Sequence, residues 1–236
     1  HIADGQGGFV GTAAGATGQP VTRDQTTGIG WWKTSEEVAL LFGSANYEDG
    51  LPVGGSVRQF DLRSRQWEDV APAQASSTGP IAMADVDGDG DLDLFVGGRC
   101  VPGRWPEAAT SMLLRNEGGQ FEEDAALDEP CLSVGLVSGA VFSDLNGDGQ
   151  PDLALACDWG PVRVFMNNQG RFVDATAGFG LDPFRGIWNG IHAGDFDGDG
   201  RMDLAASNWG WNSGYQTPRG PAVARALISR KISETG

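Results

Sequence analysis

Short apolar runs separated by clusters of Gly, Asn and Asp set the rhythm of this sequence, and its central region lacks the period of an amphipathic helix. Three segments align with one another: IAMADVDGDGDLDLFVGG at 81–98, AVFSDLNGDGQPDLALA at 140–156 and IHAGDFDGDGRMDLAAS at 191–207. A second element recurs after each apolar run, in which a Gly or Asn turn is followed by an aromatic residue and an acid, as in GGQFEED (118–124) and QGRFVDAT (169–176). RQWEDVAP (65–72) and GGFVGTAA (7–14) occupy equivalent points earlier in the chain. Each repeat therefore predicts four short strands, roughly 80–86, 93–99, 111–117 and 120–126 in one unit. In the next they fall at roughly 138–145, 152–158, 162–168 and 171–177. The links NEGGQ (116–120) and NNQGR (167–171) carry the Asn and Gly that a tight hairpin with positive φ requires. DLFVGG and DLALA are apolar without clean alternation, as in a sheet covered on both faces.

Four strands repeated in tandem about every 50 residues predict an all-β fold, a β-propeller or an incomplete propeller of four-stranded antiparallel blades. The count is the last strand of one blade (7–15), three complete blades (about 27–178) and the first half of another (189–210). This falls short of a closed ring, so the chain reads as part of a longer propeller. Residues 1–218 form the repeat domain. The tail 219–236 is basic and Ala-rich, breaks the pattern, and is expected to be helical or disordered.

Composition sharpens this picture at one point. Among 236 residues the formal net charge is −16, which argues against nucleic acid and against an anionic membrane surface. No apolar run is long enough to cross a membrane as a helix. The acids are not scattered, because twelve of the 32 lie in three nine-residue windows, and such clustering calls for compensating cations.

The windows share the pattern D-x-[DN]-G-D-G-x-x-D. Calcium takes six to eight oxygen ligands in flexible geometry, and carboxylates at alternate positions can fold round one ion. Positions 1, 3, 5 and 9 would give side chains and position 7 its backbone carbonyl. The first loop then offers Asp85, Asp87, Asp89 and Asp93 with Asp91 at position 7. The second offers Asp144, Asn146, Asp148 and Asp152 with Gln150, and the third Asp195, Asp197, Asp199 and Asp203 with Arg201. An EF-hand needs an acid at position 12 and flanking helices. Position 12 is Val96, Leu155 or Ala206, and strand-like sequence flanks each loop. About three calcium ions are expected, with the second loop weakest by acid count. In the earliest unit, TSEE (34–37) stands where the acidic loop would be.

These loops and the strands after them resemble the FG-GAP/VCBS repeats of integrin-α-like propellers. The run DFDGDGRMDLAASNWGWNSGYQ (195–216), with QGRFVDATAGFGL (169–181), is similar to the bacterial ASPIC/UnbV-associated repeat proteins. The resemblance covers about residues 7–218. It implies calcium loops between the first and second strand of a blade, extracellular or cell-envelope placement, and a role in binding or adhesion. It carries over no catalytic residue.

NWGWNSGY (208–215) mixes aromatics with Asn and Ser, so Trp209, Trp211 and Tyr215 are candidates for a ligand surface, with packing between blades as the competing explanation. Trp31 and Trp32 are expected in the core. The three cysteines fit either a Cys100–Cys131 disulfide or three small buried thiols. His192 reads as an inner-strand residue, and no nucleophile with an evident base occurs. The expected function is a calcium-binding, non-enzymatic interaction module for a protein or glycan. An accessory, carbohydrate-binding part of a secreted polysaccharide-active enzyme is the alternative. Unpaired blade edges would also permit self-association.

Overall fold

A computed structural model describes residues 2–3, 9–10, 23–51, 56–124 and 133–209. Every regular element among them is a strand. β1 (Ile2–Ala3) and β2 (Phe9–Val10) form a minimal antiparallel pair. β3 (Gln25–Trp32), β4 (Val38–Ser44), β5 (Val57–Asp61) and β6 (Trp67–Ala71) make one four-stranded sheet in chain order. β7 (Ser77–Ala84), β8 (Asp93–Cys100), β9 (Met112–Glu117) and β10 (Gln120–Glu123) make the second. In the third, β11 (Leu136–Ser143), β12 (Asp152–Gly160), β13 (Arg163–Asn168) and β14 (Arg171–Asp174) repeat the order. β15 (Gly186–Gly194) and β16 (Asp203–Asn208) begin a fourth, joined to the third where Asp158 and Gly160 pair with Ile187 and Gly186.

All pairings are antiparallel, and all but that of β12 with β15 join successive strands. The first strands of the blades pack on one another in sequence, β3 on β7, β7 on β11 and β11 on β15, as inner strands do around a propeller axis. Glycine makes this approach close. A methyl group on Gly139 would meet the Cα of Gly190 at 2.9 Å, and one on Gly79 would meet the Val137 carbonyl oxygen at 2.7 Å. Among the described residues the fold is an incomplete propeller of three whole blades and half of a fourth.

Three apolar layers lie between the blades. The first joins Trp31, Leu41 and Val57 to Leu94, Val96 and Leu114. The second joins Val86, Phe95 and Leu113 to Leu153, Leu155, Phe165 and Phe172. The third joins Leu145, Ala154 and Val164 to Trp188, Ile191 and Leu204. Neighbours on a strand therefore serve different layers, Leu94 and Val96 facing backward in the chain and Phe95 forward. That explains why these runs show no alternation.

The same geometry corrects one expectation. Trp31 is buried and donates its indole N–H to Gln59 at 3.2 Å, but Trp32, one residue on, points to the opposite side and is 67% exposed. Cys157 is buried and free, its thiol pushed up to about 12 by desolvation. Cys100 is half-buried and free, and Cys131, its expected partner, lies outside the described residues, as do the tail 219–236, Trp211 and Tyr215.

Candidate metal loops

The three acidic windows connect the first strand of a blade to its second: 85–92 joins β7 to β8, 144–151 joins β11 to β12, and 195–202 joins β15 to β16. Each loop is built by the same hydrogen bonds. In the first, one carboxylate oxygen of Asp85 accepts the N–H groups of Gly88 (2.8 Å) and Asp89 (3.1 Å), and the other accepts that of Gly90 (3.0 Å). Asp144 does the same with Gly147, Asp148 and Gly149, and Asp195 with Gly198, Asp199 and Gly200. Position 3 accepts from the N–H of position 5, and position 5 from that of position 7, in all three. This winding is possible because positions 4 and 6 are glycines at positive φ, such as Gly88 at 84° and Gly90 at 97°.

The Asp at position 9 plays a different part. Asp93 and Asp152 start the second strands and are 1% and 0% exposed. Asp93 accepts the N–H of Val86 at 3.0 Å from its own loop and that of Asn116 at 3.0 Å from β9. Asp152 matches it with Leu145 (2.9 Å) and Asn167 (2.8 Å). Burial pushes both carboxyls above the usual range in spite of these donors. Asp203, also buried, accepts from Phe196 at 3.1 Å.

The winding brings acids together. Carboxylate oxygens of Asp85, Asp87 and Asp89 lie within 4.8 Å of one another, as do those of Asp195, Asp197 and Asp203. In the second loop an amide replaces one acid, and Asn146 donates to Asp148 at 2.9 Å, holding that carboxyl below its usual range together with the N–H of Gln150. Position 7 side chains in the first two loops reach the neighbouring hairpin. Asp91 accepts from Gly118 N–H at 2.9 Å, and Gln150 from Gln169 N–H at 2.6 Å.

Carboxylates this close repel one another, and oxygen donors at alternate positions suit a hard divalent cation. At the first loop the chain supplies a tethered cation of its own. Arg115 on β9 lies 3.2 Å from Asp93 and 3.5 Å from Asp87, pairs with Asp124, and donates to the carbonyl of Gly170 on the next blade at 2.9 Å. Met166 stands at the matching point of β13, beside Asn167 as Arg115 stands beside Asn116. Residues 144–206 match the FG-GAP-like repeat. That span runs from the second loop through the third and includes β12 to β15 whole.

Beyond the FG-GAP-like repeat, the chain is similar over most of its length to a curated vertebrate protein. Cartilage acidic protein 1 of Homo sapiens is 24% identical over 221 residues, covering 84% of this chain and 31% of that protein. The Mus musculus protein of the same name is 25% identical over 174 residues, covering 70% of this chain and 26% of that protein. The chain thus spans about a third or less of the length of these relatives.

Three side-chain roles escaped the sequence. Asn116 and Asn167 are almost fully buried, and each closes its hairpin by accepting the N–H of Gly119 or Gly170 at 2.8 Å. Asn167 also donates to the carbonyl of Val86 in the preceding blade at 2.8 Å. The shared Asn in LLRNEGG and VFMNNQG was the available signal. Thr34 is the third. In loop 33–37, which lacks the Asp-Gly pattern, its hydroxyl oxygen accepts the N–H groups of Glu36 and Glu37, both at 3.2 Å.

Proposed function

We propose that this chain is a calcium-stiffened, non-catalytic interaction module of an extracellular or cell-envelope protein, with one ion in each of the loops 85–93, 144–152 and 195–203. The observation that carries this reading is the repetition of one loop geometry three times, with position 1 caging the backbone in each. Side chains at positions 1, 3, 5 and 9 and the position 7 carbonyl would complete each ion's shell. The ion would relieve repulsion within the cluster and fix the loop that joins the inner strand to the second. The likeness to cartilage acidic protein 1, whose name places it in a matrix tissue, supports placement outside the cell. No helix among the described residues is long and apolar enough to cross a membrane.

The test is thermal unfolding in millimolar Ca²⁺ against excess EGTA, with calorimetric titration for stoichiometry. Ligand at about a hundredfold over Kd adds about 2.7 kcal/mol per independent site, so a rise in midpoint of many degrees is expected. About three ions should bind. Asp85→Asn, Asp144→Asn and Asp195→Asn should each remove one. Absence of both heat and shift would sink the calcium reading.

A further inference from the structure

The strand ends farthest from the acidic loops share a feature of their own. Second strands start at the loops and finish at the opposite end of each blade. An aromatic residue stands at or just beyond that finish in every blade. These are Tyr47 after β4, Trp105 in the connection after β8, Trp159 as the penultimate residue of β12, and Trp209 immediately after β16. Tyr47 is 65% exposed, Trp105 50% and Trp209 53%. Trp105 and Trp159 meet edge to face across two blades with ring centroids 5.8 Å apart. The connection that carries Trp105 also lies against the one that carries Tyr47, Pro102 beside Gly50.

Three ion pairs stand at this end among the described residues. Arg23 binds Asp49 at 2.8 Å, Arg99 of β8 binds Asp158 of β12 at 2.8 Å across the blade boundary, and Arg104 binds Glu107 at 3.2 Å. The second carboxylate oxygen of Asp158 is buried beside Trp159 and accepts no hydrogen bond. Exposed aromatic faces cost free energy in water, and a buried acceptor without a donor costs more. Three exposed rings at one end, with Trp159 half-buried against Trp105 and ion-paired polar groups nearby, match an extended ligand that offers both C–H faces and hydroxyl groups, and the chain's net charge of −16 disfavours an anionic one.

We infer that the rim formed by Tyr47, Trp105, Trp159 and Trp209 is a binding face for a neutral oligosaccharide. Sugar rings stack on the exposed tryptophans, and the Arg99–Asp158 pair exchanges hydrogen bonds with hydroxyls at the Trp105–Trp159 step. This locates the binding role proposed above. Trp209 was a candidate on sequence grounds, and strand direction puts it at the same end as the other three.

An array of neutral oligosaccharides (gluco-, manno-, xylo- and N-acetylglucosamine series), with sialylated and sulfated glycans beside them, tests this on the calcium-loaded protein. The expected result is binding to a neutral series, weakened at least about tenfold by Trp105→Ala and by Trp159→Ala. Trp32→Ala, an exposed aromatic at the acidic end, should leave binding unchanged. No neutral binder, binding confined to anionic glycans, or equal loss in Trp32→Ala would each overturn the inference. Unfolding midpoints in Ca²⁺ and EGTA on the same samples report the calcium reading separately, so either can fail alone.

Discussion

The first and third acidic loops have the same backbone hydrogen bonds and different surroundings. At position 2 of the first, Val86 is 1% exposed, sunk among Leu153, Phe165 and Phe172 of the following blade, with its carbonyl held by Asn167. At position 2 of the third, Phe196 is 50% exposed, and Met202 nearby is 40% exposed. The second loop resembles the first, since Leu145 packs with Leu181 and Trp188. Winding of the loop is therefore local and set by its own Asp and Gly residues. Anchoring is borrowed from the next blade. The position 2 side chain is the pin between blades, and in the third loop that pin is half bare.

The sharpest way to break this comparison is to cut the two pins. Val86→Ser should cost about 2–4 kcal/mol through lost burial and a cavity, whereas Phe196→Ser should stay within about 0.5 kcal/mol. Urea titration of both variants in saturating calcium decides it, and equal costs would remove the distinction between docked and undocked loops. A smaller effect is expected from Asn167→Ala, which leaves the Val86 carbonyl and the Gly170 N–H without partners. It should cost about 1–3 kcal/mol, and more than Asn116→Ala, since no contact of Asn116 reaches another blade. The smallest effect on the calcium-loaded protein should come from Arg115→Met, which copies Met166. In EGTA this variant should melt earlier, because Asp87, Asp93 and Asp124 lose their cation. In calcium it should recover most of the difference and bind the first ion more tightly, which calorimetry would show. An unchanged calcium affinity would mean that the guanidinium does not compete with the ion.

The architecture was legible because repetition carried it. Three aligned windows fixed the blade period, and the Asn-Gly links gave the hairpins that the structure shows at Gly118–Gly119 and Gln169–Gly170, all at positive φ. Strand limits came within a few residues, since Asp at position 9 marks each second strand's first residue. What failed to show was whatever depends on a neighbouring blade. The sequence could place Trp31 and Trp32 on a strand but not say which side faced a layer. It showed Arg115 and Asp87 28 positions apart with nothing to join them. The rim at the far end was equally hidden, because Tyr47 and Trp105 stand in connections with no common motif, and only the stacking of blades assembles them. Acid count alone ranked the loops for calcium, and the guanidinium beside the first loop adds a variable that such a count omits.

The hydroxyl of Thr34 has a consequence for the order in which the molecule can assemble. Loop 33–37 closes with a side chain that is always present, so its β3–β4 hairpin can form at any calcium concentration. Blade-to-blade contacts are between sequence neighbours, as in other repeat architectures, and growth can spread from one finished unit to the next. The earliest complete blade is thus a ready template, exposing Trp31, Leu41 and Val57 for the second to condense upon, while on the calcium reading each later unit would wait on its ion. Calcium supply would then set the pace of propagation without setting the pace of initiation.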